Sequence, residues 1–158
     1  MRPPAPILVI AAALAFANVV KAQSIPINEG LSGAWFDPET SGQGVLFDVV
    51  PAENLVFMAW FTYETASGKL GPTEARWLTA QGGIDGTRAV LVVNNTTGGA
   101  FDDPTPVETA PVGSATVEFL SCTTALLEFD FPDDGLAGAI NLVRLAPDVF
   151  CSDLVATE

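Results

Sequence analysis

The chain has no histidine and only two cysteines in 158 residues, and six lysines and arginines stand against 19 aspartates and glutamates. Without histidine, neither the usual zinc ligand sets nor a His-based nucleophilic triad can be assembled. The shortage of positive charge (net −13, pI about 4.1) works against nucleic acid and anionic membranes, whose phosphates must be met by Lys and Arg. Past the N-terminal region no apolar run is long enough to cross a bilayer. No ten-residue stretch there keeps a helical 3.6-residue period either.

What is present begins with a leader. Arg2 is followed by the apolar run Ile7 to Ala17, and Val20-Lys21-Ala22 sets short side chains before a cut at Gln23. Residues 1–22 are therefore expected to be a secretory signal peptide, placing the mature protein in the periplasm or medium with no transmembrane segment. No cysteine follows the cut, which disfavours a lipid anchor. The remainder suits one domain with one core. It keeps four basic residues, Lys69, Arg76, Arg88 and Arg144, against all 19 acidic ones, a net charge of −15. In an exported chain the isolated pair Cys122 and Cys151 reads as a disulfide. Closing a loop of about 30 residues is worth about 3–4 kcal/mol in the loop-entropy model.

Period-two patterning organises the rest. Ala115-Thr116-Val117-Glu118-Phe119 and Leu127-Glu128-Phe129-Asp130-Phe131 alternate as strands with one buried and one wet face. Candidate strands fall at 33–37, 44–50, 54–63, 74–81, 87–94, 114–121, 124–131 and 137–145. Leu55 to Phe61 is apolar on both faces and is expected to be covered on both sides or to sit at an interface. Short connections, at 51–53, 82–86 and 122–123, alternate with longer ones at 38–43, 64–73, 95–113 and 132–136, with Gly and Pro where turns are needed. Asn94 to Thr97 also matches overlapping glycosylation sequons and is read as a turn. Ala34-Trp35-Phe36…Glu39-Thr40-Ser41-Gly42 is echoed by Ala59-Trp60-Phe61…Glu64-Thr65-Ala66-Ser67-Gly68. The echo is either a duplicated strand-turn unit or the same turn chemistry used twice.

These elements predict an all-β fold: an eight-stranded antiparallel up-and-down meander barrel with one disulfide. Residues 23–32 form an N-terminal segment, 33–146 the barrel, and 147–158 a C-terminal tail stapled by Cys151. In a meander, alternate connections share an end. Cys122 and the tail carrying Cys151 then meet at the short-loop end. Trp35 on the first strand and Arg144 on the last meet there too, where the guanidinium can stack on the indole as the barrel closes. The long-loop end collects Asp37, Glu39, Glu64, Glu74, Asp102, Asp103, Glu108, Asp133 and Asp134, with Lys69 as the clear counter-charge. Loops held by a scaffold carry function, so this end is the candidate site. Asp102, Asp103, Asp133 and Asp134 are candidate calcium ligands, because hard oxygen donors suit that ion. They do not have the spacing of a known calcium loop. Trp60, Tyr63 and Trp77 are candidate walls of a ligand pocket. Against a pocket, Phe47, Phe57, Phe119, Phe129 and Phe131 have the volume to fill an eight-stranded barrel, and a filled or nearly filled interior is expected.

Gly33-x-Trp35 on a first strand with Arg144 on a last one resembles the signature of calycin-type barrels, among them lipocalins, avidins and small secreted bacterial metalloprotease inhibitors. The runs Gly33 to Pro38, Ser41 to Gly44 and Trp60 to Tyr63 (Gly-x-Trp-aromatic-Asp-Pro, Ser-Gly-x-Gly, Trp-Phe-Thr-Tyr) are similar to a group of exported proteobacterial β-domains of unassigned function. The likeness implies export and a β-fold, with Gly33, Trp35 and Arg144 at the barrel closure, and no activity.

The functional expectation is a non-enzymatic binding module presenting an acidic loop end to a cation, a small molecule or a basic protein, with no cofactor beyond a candidate calcium. A first alternative is a protease inhibitor: in the inhibitor barrels the N-terminal segment enters the protease cleft, and here that segment is Gln23 to Asn28. A second is a hydrolase using the carboxylate pairs Asp102-Asp103 and Asp133-Asp134.

Overall fold

The structure, a computed structural model, describes residues 24–64, 75–146 and 150–157. The leader, the cut site, Lys69 and Glu74 lie outside the described residues. Among the described residues no helix is long and apolar enough to cross a membrane.

Eight strands form one closed antiparallel barrel in chain order: β1 Gly33–Phe36, β2 Gly44–Val50, β3 Leu55–Tyr63, β4 Ala75–Asp85, β5 Arg88–Ala100, β6 Asp103–Phe119, β7 Thr124–Phe131 and β8 Leu136–Arg144. Alternation puts one face of each strand inside. Val45, Phe47 and Val49 of β2 are buried, as are Val56, Met58 and Trp60 of β3 and Ala115, Val117 and Phe119 of β6. One short helix, α1 Cys151–Val155, follows the barrel.

Three strands, β4, β5 and β6, are longer than the residue pattern suggests. β4 runs through Gly82-Gly83 to a two-residue turn at Gly86-Thr87, with Asp85 opposite Arg88. Gly82 is in the strand because neighbouring backbone crowds it: a Cβ there would lie 1.9 Å from the Val90 carbonyl oxygen. The expected loop 95–113 is instead a β5–β6 ribbon, with Thr96 opposite Thr109 and Ala100 opposite Asp103. β4 stops pairing at Asn95 and β7 at Ser114, so the ribbon leaves the wall and projects roughly 20 Å, with residues 95–100 paired back onto residues 103–110. It has no core side, which is why it lacks alternation. Pro104, Pro106 and Pro111 lie on its β6 strand, where missing N–H groups and fixed φ discourage pairing with another chain.

The barrel closes across its shortest seam. β1 and β8 share only two register pairs, Trp35 with Arg144 and Phe36 with Val143. Side chains reinforce it. The Arg144 guanidinium lies 5.4 Å from the centre of the Trp35 ring system. It donates to the carbonyls of Gly30 at 2.8 Å, Ser32 at 2.7 Å and Cys122 at 3.5 Å. Trp35 is 1% exposed and donates its indole N–H to the Leu31 carbonyl at 3.1 Å. Gly33 has φ +129°, a conformation L side chains rarely adopt, and this turns the chain from the Glu29–Leu31 3₁₀ turn into β1 beside Arg144.

The same end is plugged from outside. Leu31 is fully buried, and Ile25 and Ile27 pack on the core while their N–H groups reach the carbonyls of Phe119 and Gly86. Ser24 hydrogen-bonds Glu118, which also pairs with Arg88. Cys122 and Cys151 are joined, with their Cα atoms 5.7 Å apart, and tie α1 to the β6–β7 connection. Replacing both cysteines by serine is expected to lower stability by about 3–4 kcal/mol, read from urea unfolding at fixed pH. Arg144→Ala strands buried carbonyls and should cost about 3 kcal/mol. Arg144→Lys keeps the charge but not the planar fork, and should recover less than half of that loss. Full recovery by lysine would show that charge alone matters at the seam.

Candidate functional site

The interior is divided into two unequal halves. At the plugged end Trp35, Phe47 and Phe119 stack edge to face, with ring centres 5.4–6.3 Å apart, and fill the lumen. Toward the other end a second aromatic group, Trp60, Phe129 and Phe131, with centres 5.5–5.8 Å apart, lines the lumen without filling it. Above it opens a cavity of about 470 Å³, within the usual range for a small-molecule site. The expectation of a filled interior thus holds for half of the barrel and fails for the other. Phe57, expected inside, lies on the outer face of β3 between inward Val56 and Met58. Inward Gly138, near the mouth, also widens the lumen; a Cβ on it would meet the Phe129 ring at 2.9 Å.

The lower wall is apolar, from Val45, Leu78, Leu127, Ile140 and Leu142. Polar groups gather toward the mouth. Thr62 donates to Gln43 at 2.7 Å across β3 and the β1–β2 connection. Asp37, just past the end of β1, accepts the Glu39 backbone N–H at 2.9 Å. Arg76 of β4 pairs with Glu64 at 2.9 Å, and the two side chains are only 12% and 9% exposed. The Arg76 Nε is buried and finds no hydrogen-bond partner among the described residues. Residue types alone do not reveal this ion pair. The available signal was the inward parity of β4: with Leu78 and Ala80 inside, Arg76 two residues earlier must also face in.

The expected site residues separate. Trp60 lines the cavity. Tyr63 stands at its mouth and also borders a shallow outer groove with Gly42, Phe61, Ala75 and Trp77. Trp77 does not belong to the pocket. It pairs with outward Phe61 and is 55% exposed, because a residue opposite an outward one must itself point out. The outer face of Leu55 to Phe61, expected to be covered or to sit at an interface, leaves Phe57 and Phe61 exposed.

The four candidate calcium ligands are exposed. Asp102 occupies the ribbon's tip turn with Asp103 beside it, while Asp133 and Asp134 lie in a 3₁₀ turn between β7 and β8. Among the described residues no three acidic or cysteine side chains gather to hold a metal ion, so folding does not bring the two pairs together. Gly33, Trp35 and Arg144 do meet, and Cys122 and Cys151 are bonded, as expected.

Comparison with protein-family models, curated proteins and solved structures finds no match to this chain.

The ion pair yields a double-mutant test. Arg76→Met alone leaves Glu64 in a mostly buried wall and should cost about 2–4 kcal/mol. The double variant Arg76→Met with Glu64→Gln should return to within about 1 kcal/mol of the parent. Thermal unfolding of the four proteins gives the coupling, and additive losses would mean that the two side chains act independently.

Proposed function

We propose that this protein is an exported, non-enzymatic binding module that holds a small, largely apolar molecule in the open half of its barrel. The observation that carries this reading is the 470 Å³ cavity, which has an aromatic and aliphatic floor and polar groups confined to its mouth. A chain that needed only stability would gain by filling that space, as it does at the plugged end, since voids cost stability in proportion to their volume. The disulfide and the leader-like N-terminus support export, because such bonds persist in oxidising compartments.

The alternatives lack comparable support. An inhibitor that inserts its N-terminal segment needs that segment free, whereas Ile25 and Ile27 are hydrogen-bonded and packed into the plug. A hydrolase built on the carboxylate pairs needs them at a substrate-sized hollow, whereas Asp102, Asp103, Asp133 and Asp134 do not line the cavity.

Native mass spectrometry of the protein purified from its own host is expected to show a species heavier than the disulfide-bonded chain by a few hundred daltons, the extra mass leaving on denaturation. Thr62→Phe places a ring in the cavity mouth and should remove that species while the fold, followed by circular dichroism, is retained. A bare parent chain with no retained ligand, together with no uptake from a small-molecule library, would count against a binding role.

A further inference from the structure

The charge around the cavity narrows its ligand class, on the reading that the cavity binds a small molecule. Three charged side chains line it: Asp37, Glu64 and Arg76. The one cation among them is already engaged by Glu64 at 2.9 Å within the wall. Asp37 is left at the mouth, and among the described residues it forms no ion pair. The lining therefore sums to −1, in a chain whose net charge is −13. Among the described residues an anionic head group would meet only the Arg76 guanidinium, whose charge Glu64 already balances, and it would enter against the field of the whole molecule.

A cationic head group meets the opposite conditions. The Asp37 carboxylate stands at the entrance, and the rings of Trp60, Phe129 and Phe131 line the space behind it. Aromatic faces carry negative potential and attract cations, most strongly where water is displaced, and quaternary ammonium groups are favoured because they shed water readily. The remaining wall, from Val45, Leu78, Leu127 and Leu142, suits an apolar body. We propose that the cavity selects a cationic organic molecule: an apolar or aromatic body carrying one amine or quaternary ammonium group, with its positive charge held between Asp37 and the aromatic wall. Carboxylates of the same shape are rejected.

The test uses three compounds of nearly one shape: benzyltrimethylammonium, its uncharged carbon isostere neopentylbenzene, and the anion 2,2-dimethyl-3-phenylpropanoate. Each is titrated into the full mature protein with methyl-labelled Val and Leu, at fixed salt, and followed by NMR. The expected result is that the Val45, Leu78, Leu127 and Leu142 methyls shift with the ammonium compound, which binds at least ten times more tightly than the isostere, while the anion causes no shift. Asp37→Asn keeps the oxygen that accepts the Glu39 N–H. It should weaken the ammonium compound three- to tenfold and leave the isostere unchanged. Equal or tighter binding of the isostere or the anion at those methyls would overturn the charge selection and leave the cavity's binding role intact. An ammonium compound that moves only outer-face signals beside Phe61 and Trp77 would overturn it as well. If none of the three compounds moves the cavity methyls, while the same methyls also stay unmoved across a broad small-molecule library, the binding role itself fails and this inference with it.

Discussion

The contact between Arg144 and Trp35 holds the barrel shut, and much else follows from it. β1 is four residues long and offers β8 only two register pairs. Backbone pairing that short is a weak closure for a sheet whose every other neighbour shares a longer ladder. The guanidinium compensates by acting on three parts of the chain at once, with its face on the indole and its N–H groups on carbonyls before β1 and between β6 and β7. Arginine suits this because its planar group stacks and donates in several directions without giving up its charge. The plug depends on the same anchor, since Gly30 and Ser32 flank the buried Leu31, and Cys122 leads through the disulfide to α1.

Concentrating the anchors at one end makes the molecule asymmetric. The plugged half contains the Trp35 aromatic group, the N-terminal segment and the disulfide, and it is filled. Among the described residues the opposite half is held by strand pairing, the Trp60 aromatic group, the Arg76–Glu64 pair and the Thr62–Gln43 hydrogen bond, and it is hollow. This is a common way for a scaffold to reconcile stability with a site: packing is completed where nothing must enter, and left incomplete where something must. Arg76 and Glu64 fit this division. A buried ion pair is a poor means of stabilising a core, but in a cavity wall it brings polarity to the mouth without leaving a net charge.

The eight strands, their order, the closure and the disulfide were legible in the residues because each rests on a local rule. Alternation in segments such as 115–119 and 127–131 reports a wall with one wet face, an even number of strands lets the first meet the last, and the length pattern of the connections puts Cys122 near the tail. Other features were not legible, for physical reasons. The β5–β6 ribbon has two wet faces, so it has no hydrophobic period, and its glycines and prolines read as a loop. Gly82 and Gly83 looked like a turn because glycine marks both turns and close backbone approach. Trp77 looked like a pocket residue by type, and only its register against Phe61 shows that it points outward. How far the interior is filled depends on ring orientations across several strands, and composition carries no record of those. The two matching segments around Trp35 and Trp60 are a case in point. Each tryptophan faces the lumen within a group of three rings, yet one group fills its half and the other only lines it.

The lumen is filled at one end and open at the other, a division that xenon can probe. Crystals of the mature protein pressurised with xenon should show the gas bound in the apolar floor beside Trp60, Phe129 and Phe131, and nowhere near Trp35, Phe47 and Phe119. Xenon among the rings of the plugged end, or none anywhere in the lumen, would contradict the division on which the account rests.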